Sequence, residues 1–161
     1  MKRLICLILS TAALLSLLSG CAQQMKEPVT FYYLRDAYAE NMELPIVGEQ
    51  REVAGYRDNL KYLLSFYLMG PIGKNLVSPL PRGTLLYTID QEGSVLTIEI
   101  SNTSALLSDS EFSLACACLS LTCMGLTDAQ EVTIVSGSRS LTLSRDSLLL
   151  SDTITPEETS K

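Results

Sequence analysis

The 161-residue sequence contains no histidine and no tryptophan. Losing histidine removes the commonest general base and the commonest metal ligand together, so hydrolases and metalloenzymes built on imidazole are excluded. Basic residues are also scarce, with 12 Lys and Arg against 18 Asp and Glu. A chain with no basic stripe offers nothing to a phosphate backbone, which excludes nucleic acid as a partner. Long apolar runs are limited to the segment Leu4 to Leu18, about 15 residues. That is short of the roughly 20 needed to span a bilayer as a helix.

That segment follows Lys2 and Arg3 and ends in Leu18-Ser19-Gly20-Cys21. The order of charge, apolar run, small residues and cysteine is that of a secretory signal. The last four residues resemble the bacterial lipobox. The resemblance implies that the Cys21 thiol takes diacylglycerol, that cleavage falls before Cys21, and that the new amine is then acylated. Two or three acyl chains, at about 0.8 kcal/mol per buried methylene, anchor a protein permanently where a single chain would be marginal. The expectation is a protein on the extracytoplasmic side of the cell membrane, held there by lipid on Cys21.

Residues 1–20 are thus read as signal and 21–28 as a lipidated start and short connector. Residues 29–150 are read as one domain and 151–161 as a disordered acidic tail. Losing Lys2 and Arg3 leaves 10 positive and 18 negative side chains, a net of -8. Anionic lipid would repel such a body rather than draw it flat.

Val29 to Leu34 is rich in β-branched and aromatic residues and reads as a central strand. Pro45 and Gly48 break up the stretch from Arg35 to Gln50, which reads as a loop with a turn of helix at 36–41. From Glu52 to Met69 an apolar stripe of Val53, Tyr56, Leu60, Leu63, Leu64 and Tyr67 predicts an amphipathic helix, stopped by Gly70-Pro71. The loop that follows, to Gly83, is stiffened by Pro79 and Pro81 and carries Lys74 and Arg82.

Thr84 to Asp90 and Ser94 to Ile100 form a hairpin turned at Gln91, Glu92 and Gly93. Ser108 and Glu111 have the spacing of a capping box, opening a helix from about Asp109 to Met124 with Gly125 as its cap. That helix has almost no polar face and is expected to be buried on most sides or covered by a partner. Glu131 to Ser136 predicts a further strand, Ser140 to Ser144 a short edge strand, and Leu148 to Leu150 a closing piece of core. The fold class is α+β: a small mixed or antiparallel sheet with two helices on one face, in the order β-α-β-β-α-β plus an edge strand.

These pieces resemble the GerM-type sporulation and spore germination domain of exported bacterial proteins. The resemblance is carried by Leu68-Met69-Gly70-Pro71, by Ser78-Pro79-Leu80-Pro81-Arg82-Gly83-Thr84 leading into a strand, by the glycine-turned hairpin ending Glu99-Ile100-Ser101, and by Val132 to Ser136 before Gly137. It covers about residues 29 to 150. Met69 stands where family members often carry an acid, and the cysteine-rich helix departs from the usual pattern. The resemblance implies an envelope-associated, non-enzymatic domain of the kind found beside sensor or wall-acting modules, and akin in some members to domains that build rings.

Cys116, Cys118 and Cys123 lack a fourth metal ligand, and on one helix Cys116 and Cys118 diverge. Cys116 and Cys123 lie about 10.5 Å apart along such an axis, too far for a disulfide. They read as small core residues. No lysine follows a serine at a catalytic spacing, and the pairs Asp90 with Glu92 and Glu157 with Glu158 read as solvated. No catalytic residue, metal or cofactor is therefore assigned. The candidate partner contact is the loop bearing Lys74 and Arg82, facing envelope proteins, a second copy of the chain, or peptidoglycan and other wall polymer. The function expected is a lipid-anchored interaction or assembly domain. The alternative is a surface module that binds a wall glycan or small ligand, accessory to a sensor or wall enzyme.

Overall fold

The computed structural model describes residues 28–36, 45–53 and 58–148. The signal segment with Leu18, Ser19, Gly20 and Cys21, most of the connector, the helical turn expected at 36–41, and the acidic tail all fall outside these, save for Asp36 and Pro28. Among the described residues no helix is long and apolar enough to cross a membrane.

The α+β class holds, but the strands divide between two sheets rather than forming one. The first sheet has β1 (Val29–Arg35) at its centre, as its two apolar faces require, flanked by β2 (Ile46–Arg51) and β3 (Leu76–Val77). Both flanking strands run antiparallel to β1. The second has the order β4 (Leu86–Glu92), β5 (Val95–Ile100), β6 (Glu131–Ser136), β7 (Arg139–Ser144). Here β5 and β6 are parallel, connected through the long helix, while the two hairpins are antiparallel.

Helix α1 (Leu60–Leu68) begins later than the apolar stripe suggests, because Glu52 and Val53 are not helical and Asn59 supplies the N-cap. The Asn59 Oδ1 accepts from the Tyr62 amide at 3.0 Å. Its end is as expected: Gly70 adopts φ +94°, which only glycine takes without strain, and its amide donates to the Tyr67 carbonyl at 3.0 Å.

Helix α2 (Asp109–Leu126) has the full capping box, with the Ser108 side chain on the Glu111 amide and the Glu111 carboxylate on the Ser108 amide. Gly125 is not its cap. The helix continues to Leu126, and Thr127 closes it by donating from both N and Oγ1 to the Cys123 carbonyl, each at 2.9 Å. This helix packs on β1 from the first sheet and on β6 and β7 from the second. Cys116, Cys118, Ser120, Thr122 and Cys123 are all buried as a result. A helix shared between two sheets has no need of a polar face.

One hydrogen bond shows how closely helix and sheet are fitted. The Tyr32 amide, on a stretch of β1 that β3 is too short to pair, donates to the Thr122 Oγ1 of α2 at 2.9 Å. Around this joint Phe31, Tyr33, Leu63, Leu64, Leu96, Ile98 and Ile134 are essentially inaccessible to solvent. Each such burial contributes about 1.5–3 kcal/mol.

Candidate functional site

The correction that matters most for the site is β2. Ile46 to Arg51 pairs with β1 from Leu34↔Ile46 to Val29↔Arg51 instead of looping freely. Its alternation turns Val47, Glu49 and Arg51 inward and Gly48 and Gln50 outward. Two charged residues thus lie on the covered face, and they build the loop after α1.

The Arg51 guanidinium lies over the rings of Phe31 and Tyr33, 5.2 and 5.3 Å from their centroids. It donates from Nε to Glu49 Oε2 at 2.7 Å and from Nη2 to the Gly70 carbonyl at 2.7 Å. A second contact joins Nη2 to the same Glu49 oxygen. Glu49 Oε1 accepts in turn from the amides of Ile72 (3.0 Å) and Gly73 (2.6 Å). Burial pushes the Glu49 carboxyl up, but the Arg51 hydrogen bond, the Gly73 amide, the Arg51 charge and the Ile72 amide together hold it below the usual carboxylate value. Burial also raises the Tyr33 phenol to about 12, against the pull of Arg51. The helix-to-loop turn is therefore clamped to β2 by a charged pair backed by aromatic rings.

Farther along, Ser78 Oγ donates to the Leu80 carbonyl at 2.9 Å and Thr84 Oγ1 to the Pro81 carbonyl at 2.7 Å. With Pro79 and Pro81 fixing φ, this half of the loop is equally constrained. Lys74 and Arg82 are both exposed at its surface. The structure does not bring them into one site. Arg82 lines a cavity of about 390 Å³ with Leu68, Met69, Pro71 and Val77, whereas Lys74 lines a shallower one of about 320 Å³ with Arg35, Val47 and Asn75. Leu76 is common to both.

Cys116, Cys118 and Cys123 are free and buried in α2. Burial pushes the Cys116 and Cys118 thiols up to about 12 and Cys123 higher still, so they stay protonated at neutral pH. Asp90 and Glu92 are exposed on β4.

No family model matches the chain, and no curated protein matches it. Among solved structures, the first GerMN domain of the sporulation protein GerM from Bacillus subtilis aligns with a TM-score of 0.56. The match is 14% identical and covers 71% of this chain and 85% of that one. The tandem GerMN domains of the same protein align with a TM-score of 0.51 at 14% identity, over 74% of this chain and 43% of that one. This chain thus spans less than half the length of the tandem structure. At such identity the likeness is one of backbone, and it agrees with the resemblance read from the loop and turn motifs: the chain carries the fold of a GerM-type domain.

Proposed function

We propose that the protein is a lipid-anchored, non-enzymatic envelope protein whose GerM-type domain serves as an interaction or assembly domain in sporulation or germination. The observation that carries this reading is the fold: 85% of the first GerMN domain of a sporulation protein aligns with this chain in structure. The lipobox supports the anchor. The polar groups of the Glu49 and Arg51 clamp support a role in contact, since they hold a loop in shape. Lys74 and Arg82 then stand exposed on a constrained loop of an acidic body, available to an acidic partner.

Crosslinking in the membranes of producing cells, followed by mass spectrometry, tests the role. Recovery of other envelope proteins, or of a ladder of the chain itself, supports assembly; recovery of monomer with wall fragments moves the function to glycan binding. Labelling with radioactive palmitate tests the anchor. Label is expected on the wild type and absent from Cys21→Ser, and label retained on Cys21→Ser would refute anchoring at that residue.

A further inference from the structure

A sheet edge is ordinarily blunted by a bulge, a charge, a proline or sheer brevity, because its open amides and carbonyls would otherwise accept an added strand. The edges formed by β4, β2 and β3 follow that rule. β4 has a register break between Leu86 and Thr88 and carries the exposed carboxylates of Asp90 and Glu92. β2 follows Pro45 and holds Glu49 and Arg51. β3 has 2 residues, and its Leu76 amide already donates to the Gly73 carbonyl at 3.2 Å. β7 has none of these devices. It runs for 6 residues in unbroken register on β6, and its one charged side chain, Arg139, is drawn away to the Ser104 and Leu107 carbonyls.

The β6–β7 hairpin fixes which backbone groups of β7 are open. It turns through Gly137 and Ser138 and pairs Ser136 with Arg139, so Arg139, Leu141 and Leu143 bond to β6 while Ser140, Thr142 and Ser144 point their amides and carbonyls outward. The same alternation continues past the strand, where the Arg145 amide donates to the Gln130 carbonyl at 2.8 Å. Ser144 is closed off: its amide donates to Ser147 Oγ at 3.1 Å, and its carbonyl accepts from the same hydroxyl at 2.7 Å. What stays open among the described residues is a segment centred on Leu141, with Ser140 on one side and Thr142 on the other.

We propose that β7 pairs antiparallel with β7 of a second copy of this chain, about a twofold axis through Leu141. Ser140 of each copy then faces Thr142 of the other and exchanges both backbone hydrogen bonds with it, which satisfies every group left open. Sliding the pair in either direction sets an open residue against the closed Ser144 or against the Gly137-Ser138 turn, so the register is determined. The symmetry also names the occupant, since an isologous contact needs a self-complementary patch and this segment is one. In that register no charge lies opposite another, although the chain as a whole carries 18 Asp and Glu. A peptide from another protein would make the same backbone bonds, whereas a second copy also sets the half-buried Leu141 against its own counterpart. It brings both copies of α2, on which Leu114, Ala117 and Leu121 stay half-exposed, onto one face of a continuous sheet. This deepens the assembly reading and rests on it.

The test is disulfide trapping of the full chain in the membranes of producing cells. In this register Leu141 meets its counterpart as a non-hydrogen-bonded pair with Cα atoms about 4.5 Å apart, within disulfide range. Cys116, Cys118 and Cys123 are buried and do not compete for the oxidant. Leu141→Cys, first shown to keep the wild-type thermal midpoint, is expected to give a disulfide-linked dimer on mild oxidation. Its yield should exceed that of Thr97→Cys, on the inner strand β5, about tenfold or more. Where Leu141→Cys lowers the midpoint, Ser140→Cys and Thr142→Cys chains expressed together set the same trap at exposed positions. Adding Thr142→Pro removes an outward amide without touching the bonds to β6, and should cut the dimer about fivefold or more. Ser140→Glu with Thr142→Glu places like charges opposite each other and should cut it as far, again at an unchanged midpoint. The proposal is overturned if Leu141→Cys dimerises no more than Thr97→Cys, if both edge variants leave the yield unchanged, or if the trapped adduct is a different protein. A dimer that forms only after residues 151–161 are deleted also overturns it, by assigning the edge to the chain's own tail. If this trap fails while unbiased crosslinking still recovers envelope proteins, only the β7 contact falls; if neither recovers any protein, the interaction-domain reading falls with it.

Discussion

Tyr67 shows how a single side chain can be held by its ring alone. The ring stacks on Tyr33 with centroids 4.9 Å apart and planes 11° from parallel, and meets Phe31 at 6.2 Å. The Tyr33 hydroxyl donates to the Tyr67 carbonyl at 3.0 Å, yet the Tyr67 hydroxyl is buried without a partner among the described residues. A buried hydroxyl left unpaired costs about 1–3 kcal/mol. Tyr67→Phe keeps the ring and removes the cost, so urea unfolding should show equal or greater stability, by up to about 1 kcal/mol; a clear loss would mean that the hydroxyl makes an interaction of its own. Glu49 is the opposite case, a group whose value lies in its partners. With its folded pKa depressed, its contribution is complete above the ordinary carboxylate value and is lost as pH falls through the folded one. Glu49→Gln leaves the Arg51 side chain, 10% exposed, without its counter-charge. A loss of about 1–3 kcal/mol at pH 7 is expected. The gap should narrow in acid, where protonated Glu49 resembles glutamine. Equal stability curves from pH 7 to pH 3 would show that the clamp contributes nothing.

At the scale of elements, Arg139 does for the start of α2 what Arg51 does for the end of α1. From the first residue of β7 it donates to the carbonyls of Ser104 and Leu107, each at 2.9 Å, and to Asp109 Oδ1 at 2.9 Å. It also lies 4.1 Å over the Phe112 ring. Only a planar guanidinium can serve all of these at once, so Arg139→Lys should destabilise by about 1–2 kcal/mol in denaturant titration, where a simple surface charge would give no change. The strands and caps that could be read in advance are those whose signals are local. β1, the β4 and β5 hairpin, the Ser108 and Glu111 box and β6 each declare themselves through alternation or fixed spacing. β2 does not, because Pro45, Gly48 and the charged Glu49 and Arg51 all argue against a strand. It forms because β1 offers a complete register and because loop amides and aromatic faces satisfy the two charges. Only the period-two placing of Val47, Glu49 and Arg51 could have announced it. The end of α2 lies beyond Gly125 for a similar reason, since Thr127 closes the helix with two hydrogen bonds to the Cys123 carbonyl and no glycine cap is needed. The division into two sheets has no local signal at all, being set by which faces α2 can cover. At the candidate site, Lys74 and Arg82 were visible as rare cations in a proline-rich loop, whereas their separation by Leu76 depends on the tertiary path of β3.

For the whole molecule, the governing quantity is the distance between lipid and domain. If Cys21 carries the anchor, the seven residues from Ala22 to Pro28 reach at most about 25 Å before β1 begins. β1 starts beside the end of α2, since Pro28 and Val29 share a cavity with Gly125 and Leu126. That end of the body is then held nearest the membrane, and the freedom of the rest is limited by the short tether. Membrane attachment under these conditions raises the effective concentration of any partner presented at matching height. Inserting about 20 glycine and serine residues between Glu27 and Pro28 would raise the root-mean-square reach to about 29 Å in a flexible coil and let the domain wander. Fold and anchor should be unaffected, giving an unchanged thermal midpoint and unchanged membrane fractionation. The yield of partner crosslinks in producing cells should nevertheless fall several-fold, because the gain from placement declines as the tether lengthens. An unchanged yield would mean that the contact draws its strength from the interface alone, leaving the short connector without a role in recognition.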